Sequence, residues 1–324
     1  MTEPLLELRG LSTHYESARG TRVTRAVDDV SLTLERGRTL GIVGESGSGK
    51  STLALSIMRL LPPAARIVGG EIRFEGDDLL KKSAREMRHI RGKRIAMILQ
   101  DPMASLNPLF TVGDQISESL RVHEGASRSA AWSRAQSLLQ AVRISAPAAR
   151  MKEFPHQMSG GMRQRIVGAI AVACEPRLLI ADEPTTSLDL TIQAQYLSLL
   201  RDLQRDHHLA MIFITHNLGI VARMCDAVAV MYAGRVVEAG PIRDIFNKPS
   251  HPYTRALLES VPRLGAQTEW LTAIEGQPPD LAALPAGCAF HPRCPQVLDK
   301  CKTQAPPAVT VAASHTARCW LHLP

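Results

Sequence analysis

Residues 44 to 51, GESGSGKS, follow the apolar run LGIV and precede TLALSIM, so a glycine-rich turn lies between a buried strand and a helix. This matches the phosphate-loop template G-x-x-x-x-G-K-[ST] in full and demands an α/β sheet around it. Gly44, Gly47 and Gly49 let the backbone turn tightly, so that N–H groups face phosphate oxygens at the positive end of the following helix. Glu45, Ser46, Ser48 and Thr52 complete the loop and the first helical turn. Lys50 is placed for the outer phosphates and the Ser51 hydroxyl for Mg²⁺. A nucleoside triphosphate is the expected ligand.

At 324 residues the chain is long enough for one large domain and an appendage. Its formal charge of +7 would suit nucleic acid, an acidic membrane face or plain solubility, and the dispersed basic residues favour solubility. No apolar run reaches the length of a membrane span, and MTEPLLELRG lacks the pattern of a secretion signal. A cytosolic address is expected. In that reducing setting the six cysteines are better suited to metal or redox chemistry than to disulfides.

Alternating apolar and polar residues in LLELRGLSTHY and AVDDVSLTLERGRTLGIVG predict short strands of an antiparallel region. RIAMILQ, RLLIADEP and LAMIFITHN read as buried strands of a mainly parallel sheet, with a helix from about Leu190 to Arg205 before the last. Residues 115 to 150 carry helical spacing and form an expected helical insertion reaching Gly160 and Gly161. DAVAVMYAGRVVEAG predicts a hairpin, and a boundary is placed near Pro241, where proline- and cysteine-containing segments begin.

The strand LLIADE ends in adjacent acids. Asp182 is the expected Mg²⁺ contact, through water, and Glu183 the group that orients the attacking water. Ser159, Gly160 and Gly161, followed by Met162, open a helix and make a second anion-binding site. In this order the motifs resemble the ATP-binding cassette ATPases that power membrane transporters. The resemblance implies a P-loop, RecA-like α/β core with an antiparallel β subdomain and a helical subdomain. It makes Ser159, Gly160 and Gly161 contacts to the γ-phosphate of ATP held by a second ATPase chain. It also makes Gln100 a metal contact and sensor of the membrane subunit, Ser187-Leu188-Asp189 an interface loop with Asp189 near the nucleotide, and His216 the γ-phosphate switch. Tyr15 is placed either to stack on adenine or to serve as a core ring. Met162 and Asn217 stand where many members have glutamine and aspartate.

QDPMASLNP (100–108) and HPYTRALL (251–258) resemble the branch of dipeptide and oligopeptide importers, which also includes nickel and opine systems. The resemblance implies residues 1–240 as nucleotide-binding domain, with a helical subdomain over about 101–164, and 241–324 as extension. It further implies two permease subunits, a related ATPase, an extracytoplasmic solute-binding protein, and a place on the cytoplasmic face of the inner membrane. A soluble cassette acting on DNA or ribosomes is the rival reading; it calls for a long coiled coil or a second cassette, and neither is found. Cys288, Cys294, Cys301 and Cys319 form C-x5-C-x6-C-x17-C, soft donors whose spacing leaves iron–sulfur, zinc and unligated thiols open. The family likeness favours a structural [4Fe–4S] cluster in a tail too poor in apolar residues for its own core. A redox sensor is the alternative role. Cys174 and Cys225 lie in apolar helical surroundings and are expected to be ordinary buried residues.

Overall fold

A computed structural model describes residues 3–17, 20–101, 105–186, 188–261 and 273–323. Its strands are β1 (Leu6–Glu16), β2 (Val23–Leu34), β3 (Thr39–Val43), β4 (Ala65–Phe74), β5 (Asp77–Asp78), β6 (Ile95–Ile98), β7 (Leu178–Asp182), β8 (Ala210–Ile214), β9 (Ala227–Tyr232), β10 (Arg235–Pro241), β11 (Val309–Ala312) and β12 (His315–Ala317). The α-helices are α1 (Lys50–Met58), α2 (Ala84–Ile90), α3 (Val112–Glu124), α4 (Arg128–Ala141), α5 (Pro147–Arg150), α6 (Gly160–Val172), α7 (Leu190–Asp206), α8 (Leu218–Met224), α9 (Ile242–Asn247), α10 (Pro252–Glu259) and α11 (Asp299–Thr303). Among the described residues no helix is long and apolar enough to cross a membrane.

The chain divides into two compact units. The first comprises Met1–Leu34, Thr39–Leu80 and Ile214–Pro324. It contains the antiparallel sheet β2-β1-β4-β5 and the strand series β11-β12-β10-β9-β3, in which β3 runs parallel to β9 and the others pair antiparallel. Every residue of β3 is buried, the opening Thr39 included, as the apolar run LGIV that follows it requires.

The strands β1 and β2 span 11 and 12 residues, longer than the short strands expected from sequence. Their pairing shifts register between Leu8 and Leu11 and again before His14. These irregularities break the two-residue alternation without ending the strand, which is why the pattern looked shorter than the element. The hairpin β9–β10 forms as read, with Arg235 opposite Tyr232.

The C-terminal segment does not stand apart as a poorly cored appendage. Its strand β12 pairs with β10, and Phe290 is buried beside Tyr232 and Tyr253, with ring centroids 5.2 and 5.3 Å away. Glu238 of β10 ties the region down from a fully buried position: its carboxylate accepts the N–H groups of Ser250 (2.6 Å) and His251 (2.9 Å) and faces His315 Nε2 at 2.8 Å. The apolar material missing from the tail is supplied by the sheet it joins.

The second unit comprises Glu35–Arg38 and Lys81–Phe213. Its strands follow the order β8-β7-β6, with β6 parallel to β7, and β7 is buried throughout. Helix α3 buries Val112, Ile116 and Leu120 at four-residue intervals. Leu120 packs in a cluster with Ala131 of α4, Ala173 and Cys174. Such a stripe gives an amphipathic helix one face to bury. Thr111, Ser127, Ser159 and Asp189 each cap a helix by accepting a backbone N–H, which satisfies donors the helix itself cannot.

Cys174 and Cys225 are buried as expected, and burial pushes their thiols up to about 11 and about 12. Because the thiolate is the nucleophile, native protein at neutral pH should alkylate at neither, whereas urea-unfolded protein should alkylate at both. Equal labelling rates in the two states would contradict this placement.

Candidate functional site

The phosphate loop lies in the first unit, between the buried end of β3 and α1. Gly44 (φ +153°) and Gly49 (φ +101°) have no room for a side chain: a Cβ at the first would overlap the Met231 carbonyl oxygen, and at the second that of Ala26. The loop thus runs against β9 on one side and β2 on the other. Gly49 also caps α1 in the left-handed conformation, without a side-chain cap, and no acidic residue occupies the first turn. The helix opening presents N–H groups and a positive dipole end with no carboxylate in its own first turn.

Lys50 is 6% exposed, and its ammonium donates to the carbonyls of Gly44 and Glu45, both at 2.8 Å, and approaches Ser48 Oγ at 3.3 Å. The charge is therefore held across the loop. The Tyr15 hydroxyl lies 3.4 Å from Thr52 Oγ1, which puts a half-buried ring beside the first turn of α1. Beyond β8, Thr215 is buried, its N–H donating to the Ile42 carbonyl at 3.2 Å, and His216 is exposed. Asn217, the departure from the family pattern, caps α8 by accepting from Gly219 N at 2.9 Å and Ile220 N at 3.3 Å.

The second unit brings another set together. Asp182 is buried at the end of β7, and Glu183 follows with φ +45°, a left-handed conformation that is strained for a residue with a side chain. Gln100 Nε2 donates to Glu183 Oε2 at 3.2 Å, and Thr186 Oγ1 donates to the same oxygen at 3.0 Å. Two residues picked out 83 positions apart in sequence are thus hydrogen-bonded neighbours. Ser159 caps α6, its Oγ accepting Met162 N at 3.3 Å, and Ser159 and Gly160 are exposed. A Cβ at Gly161 would stand 2.8 Å from Ile192 Cγ2 of α7, so that side chain would have to shift to admit one. Asp189 Oδ1 accepts the N–H groups of Thr191 and Ile192, both at 3.0 Å. Ser187, and Pro102, Met103 and Ala104 of the segment after Gln100, lie outside the described residues.

Comparison with known proteins decides the family. The model for "ABC transporter" matches residues 27–186, and that for "Oligopeptide/dipeptide transporter, C-terminal region" matches residues 237–301. The dipeptide transport ATP-binding protein DppD of Bacillus subtilis is 50% identical over 320 residues, 98% of this chain and 95% of that protein. The oligopeptide transport ATP-binding protein OppD of Salmonella typhimurium is 47% identical over 316 residues, covering 98% and 93%. Among solved structures, the dimeric post-hydrolysis state of the ATP-binding cassette MJ0796 bound to ADP and Pi aligns with a TM-score of 0.65 at 25% identity, over 74% of this chain and 99% of that one. The chain is an ATP-binding subunit of the peptide branch of ABC transporters. It belongs with the ATP-hydrolysing subunits of that importer family.

In this ABC ATPase the segment HPYTRALL has a structural task that sequence reading missed. His251 caps α10 through Nδ1, which accepts Tyr253 N at 3.0 Å; Pro252 takes the first helical position; and the Tyr253 hydroxyl accepts the Glu45 N–H at 2.9 Å. Arg293, also overlooked, reaches the Glu45 carboxylate from the tail. Gln164 is a third omission: at 1% exposure in α6 it donates to the Pro184 carbonyl at 2.6 Å, joining the signature helix to the segment after Glu183. Flanked by Arg163 and Arg165, it gave no signal in the sequence.

Cys288, Cys294, Cys301 and Cys319 line one small cavity together with Phe290 and Trp320. Burial, followed by the charge of neighbouring thiols, pushes Cys288 up to about 11, and burial likewise raises Cys294 and Cys319. No group of three or more His, Cys, Asp or Glu among the described residues is gathered so as to hold a metal ion.

Replacing Gln164 by leucine leaves the buried Pro184 carbonyl without that donor, at a cost of about 1–3 kcal/mol. The variant should melt at lower temperature and hydrolyse ATP more slowly than wild type; an unchanged melting temperature and rate would show that the link to Pro184 carries nothing.

Proposed function

We propose that this chain powers uptake of dipeptides or oligopeptides, paired with a second, related ATPase chain beneath two permease subunits on the cytoplasmic face of the membrane, with an extracytoplasmic solute-binding protein delivering the cargo. The observation that carries the reading is the near end-to-end similarity to DppD and OppD, which includes the C-terminal region of that branch. Nickel, opines or another small solute are the alternative cargo. In this reading residues 1–240 form the nucleotide-binding domain, with the helical subdomain over about 101–164, and 241–324 the extension.

The roles follow from the chemistry at each position. Loop N–H groups between Ser46 and Thr52 and the Lys50 ammonium hold the phosphates of ATP, while Glu45 holds the shape of the loop. Ser51, Gln100 and Asp182 suit Mg²⁺, all being oxygen donors. That ion, when bound, neutralises phosphate charge. Glu183 orients and polarises the attacking water, and its bonds from Gln100 and Thr186 fix the orientation of its carboxylate. His216 contacts the γ-phosphate and Tyr15 stacks on adenine. Ser159, Gly160 and Gly161 close on ATP held by the partner chain, where an exposed helix start supplies N–H groups to the γ-phosphate, and Asp189 lies in the loop at that interface. Closing and opening of this pair drive the permease.

The four tail cysteines hold a [4Fe–4S] cluster in this account, with zinc as the alternative. Four thiols around a common cavity are a soft donor set that suits either. The likeness to the peptide-importer branch is what favours the cluster. Bound there, the group would cross-link the tail.

Glu183→Gln should bind ATP as tightly as wild type, lose most turnover and accumulate as a closed dimer; near-normal hydrolysis would remove Glu183 from the role. Lys50→Ala should instead weaken ATP binding itself. For the tail, anaerobically purified protein should show the broad visible absorption of an iron–sulfur centre, bleached on reduction and lost in Cys294→Ser. A colourless protein containing stoichiometric zinc would replace the cluster by the ion.

A further inference from the structure

Glu45, the second residue of the phosphate loop, is gripped at three points, two of them from beyond residue 250. Its N–H donates to the Tyr253 hydroxyl at 2.9 Å, its carbonyl accepts from Lys50 Nζ at 2.8 Å, and its carboxylate takes both terminal nitrogens of Arg293 at 2.7 and 3.0 Å. The Arg293 side chain is 3% exposed and that of Glu45 26%. Arg293 is itself fixed: Nε donates to the Glu275 carbonyl at 2.9 Å, one terminal nitrogen reaches the Ile274 carbonyl at 3.3 Å, and the other the Tyr232 hydroxyl at 3.3 Å. Two parallel charge-assisted bonds from a planar guanidinium fix orientation as well as distance, and a lysine could not reproduce them.

We infer that Arg293 is a positioning residue for nucleotide binding: from the tail it fixes Glu45, and through the Glu45 backbone it sets the place from which Lys50 meets the phosphates. The tail is then part of the ATP site. The grip also pairs the Glu45 carboxylate with a guanidinium, so that a negative charge on the phosphate loop is neutralised where it would otherwise oppose the ligand. Released from Arg293, the carboxylate regains rotational freedom and an unneutralised charge, and the carbonyl that orients Lys50 loses its anchor. Both effects fall on ATP affinity and leave Glu183 and Gln100, in the other unit, untouched.

The inference rests on the loop's being the ATP site, and Lys50→Ala serves as the reference that separates the two. The test uses the full chain with its partner subunits, measures KM for MgATP and kcat, and follows displacement of a fluorescent ATP analogue. Arg293→Ala should raise KM and the dissociation constant about tenfold, with kcat changed less than twofold. Arg293→Lys, which keeps the charge but loses the fork, should fall between. Glu45→Gln removes the charge from the same pair while leaving the other bonds of Arg293 in place, so it carries the test if Arg293→Ala fails to fold. The double variant Arg293→Ala, Glu45→Gln should be no worse than Arg293→Ala alone, because both act through one interaction. Unchanged affinity in folded Arg293→Ala alongside weakened affinity in Lys50→Ala would overturn the positioning role but not the ATP site. Unchanged affinity in Lys50→Ala would instead overturn the site.

Discussion

The loop between β3 and α1 is confined on both sides by backbone: the carbonyl oxygens of Met231 and Ala26 stand where side chains at positions 44 and 49 would have to be. One belongs to β9, which pairs with β3, and the other to β2 of the antiparallel sheet, so two sheets set the path of one turn. The Gly234 N–H, beyond β9, also donates to the Ser48 carbonyl at 3.0 Å, while the Gly234 carbonyl accepts from Asp28 of β2 at 2.9 Å. A turn held in this way presents its N–H groups in a fixed array before any ligand arrives. That is preorganisation of an anion site by strand packing, and it explains why the long antiparallel strands matter to the chemistry.

A second layer of confinement comes from the C-terminal region. The tail shares the sheet through β12, the ring cluster through Phe290, and the loop through Tyr253 and Arg293. Burial of Glu238 among two N–H donors and His315 shows the same logic, since a carboxylate removed from water must be met by donors from every side. What sequence composition marked as a boundary near Pro241 is continuous in packing with the first unit.

Elements with every residue buried were easiest to read. β3, β7 and β8 are buried from end to end and apolar but for Thr39 and Asp182 at two of their ends, and α7 begins at Leu190 behind an aspartate cap, so pattern and structure agree. The extent of β1 and β2 was harder because register shifts reset the alternation inside a single strand. Within the candidate site, the motif residues announced themselves by spacing, and the pairing of Gln100 with Glu183 follows from their positions at adjacent parallel strand ends. Arg293 gave no such sign: it lies 248 positions from Glu45, in a segment with neither helical nor strand period. Gln164 hid between two arginines for the same reason, its importance set by a carbonyl that only folding brings near. Cysteine spacing could nominate four ligands but not the metal, because soft donors accept several.

The account's central proposal is that one chain carries half of each reaction site, the signature helix of one molecule acting on the ATP of another. The direct measurement is ATP hydrolysis per chain as purified protein is diluted, with molecular mass followed by light scattering. Activity per chain should fall toward zero as dimers give way to monomers, and recover when the partner ATPase is added. A rate per chain that stays constant into the fully monomeric range would contradict it.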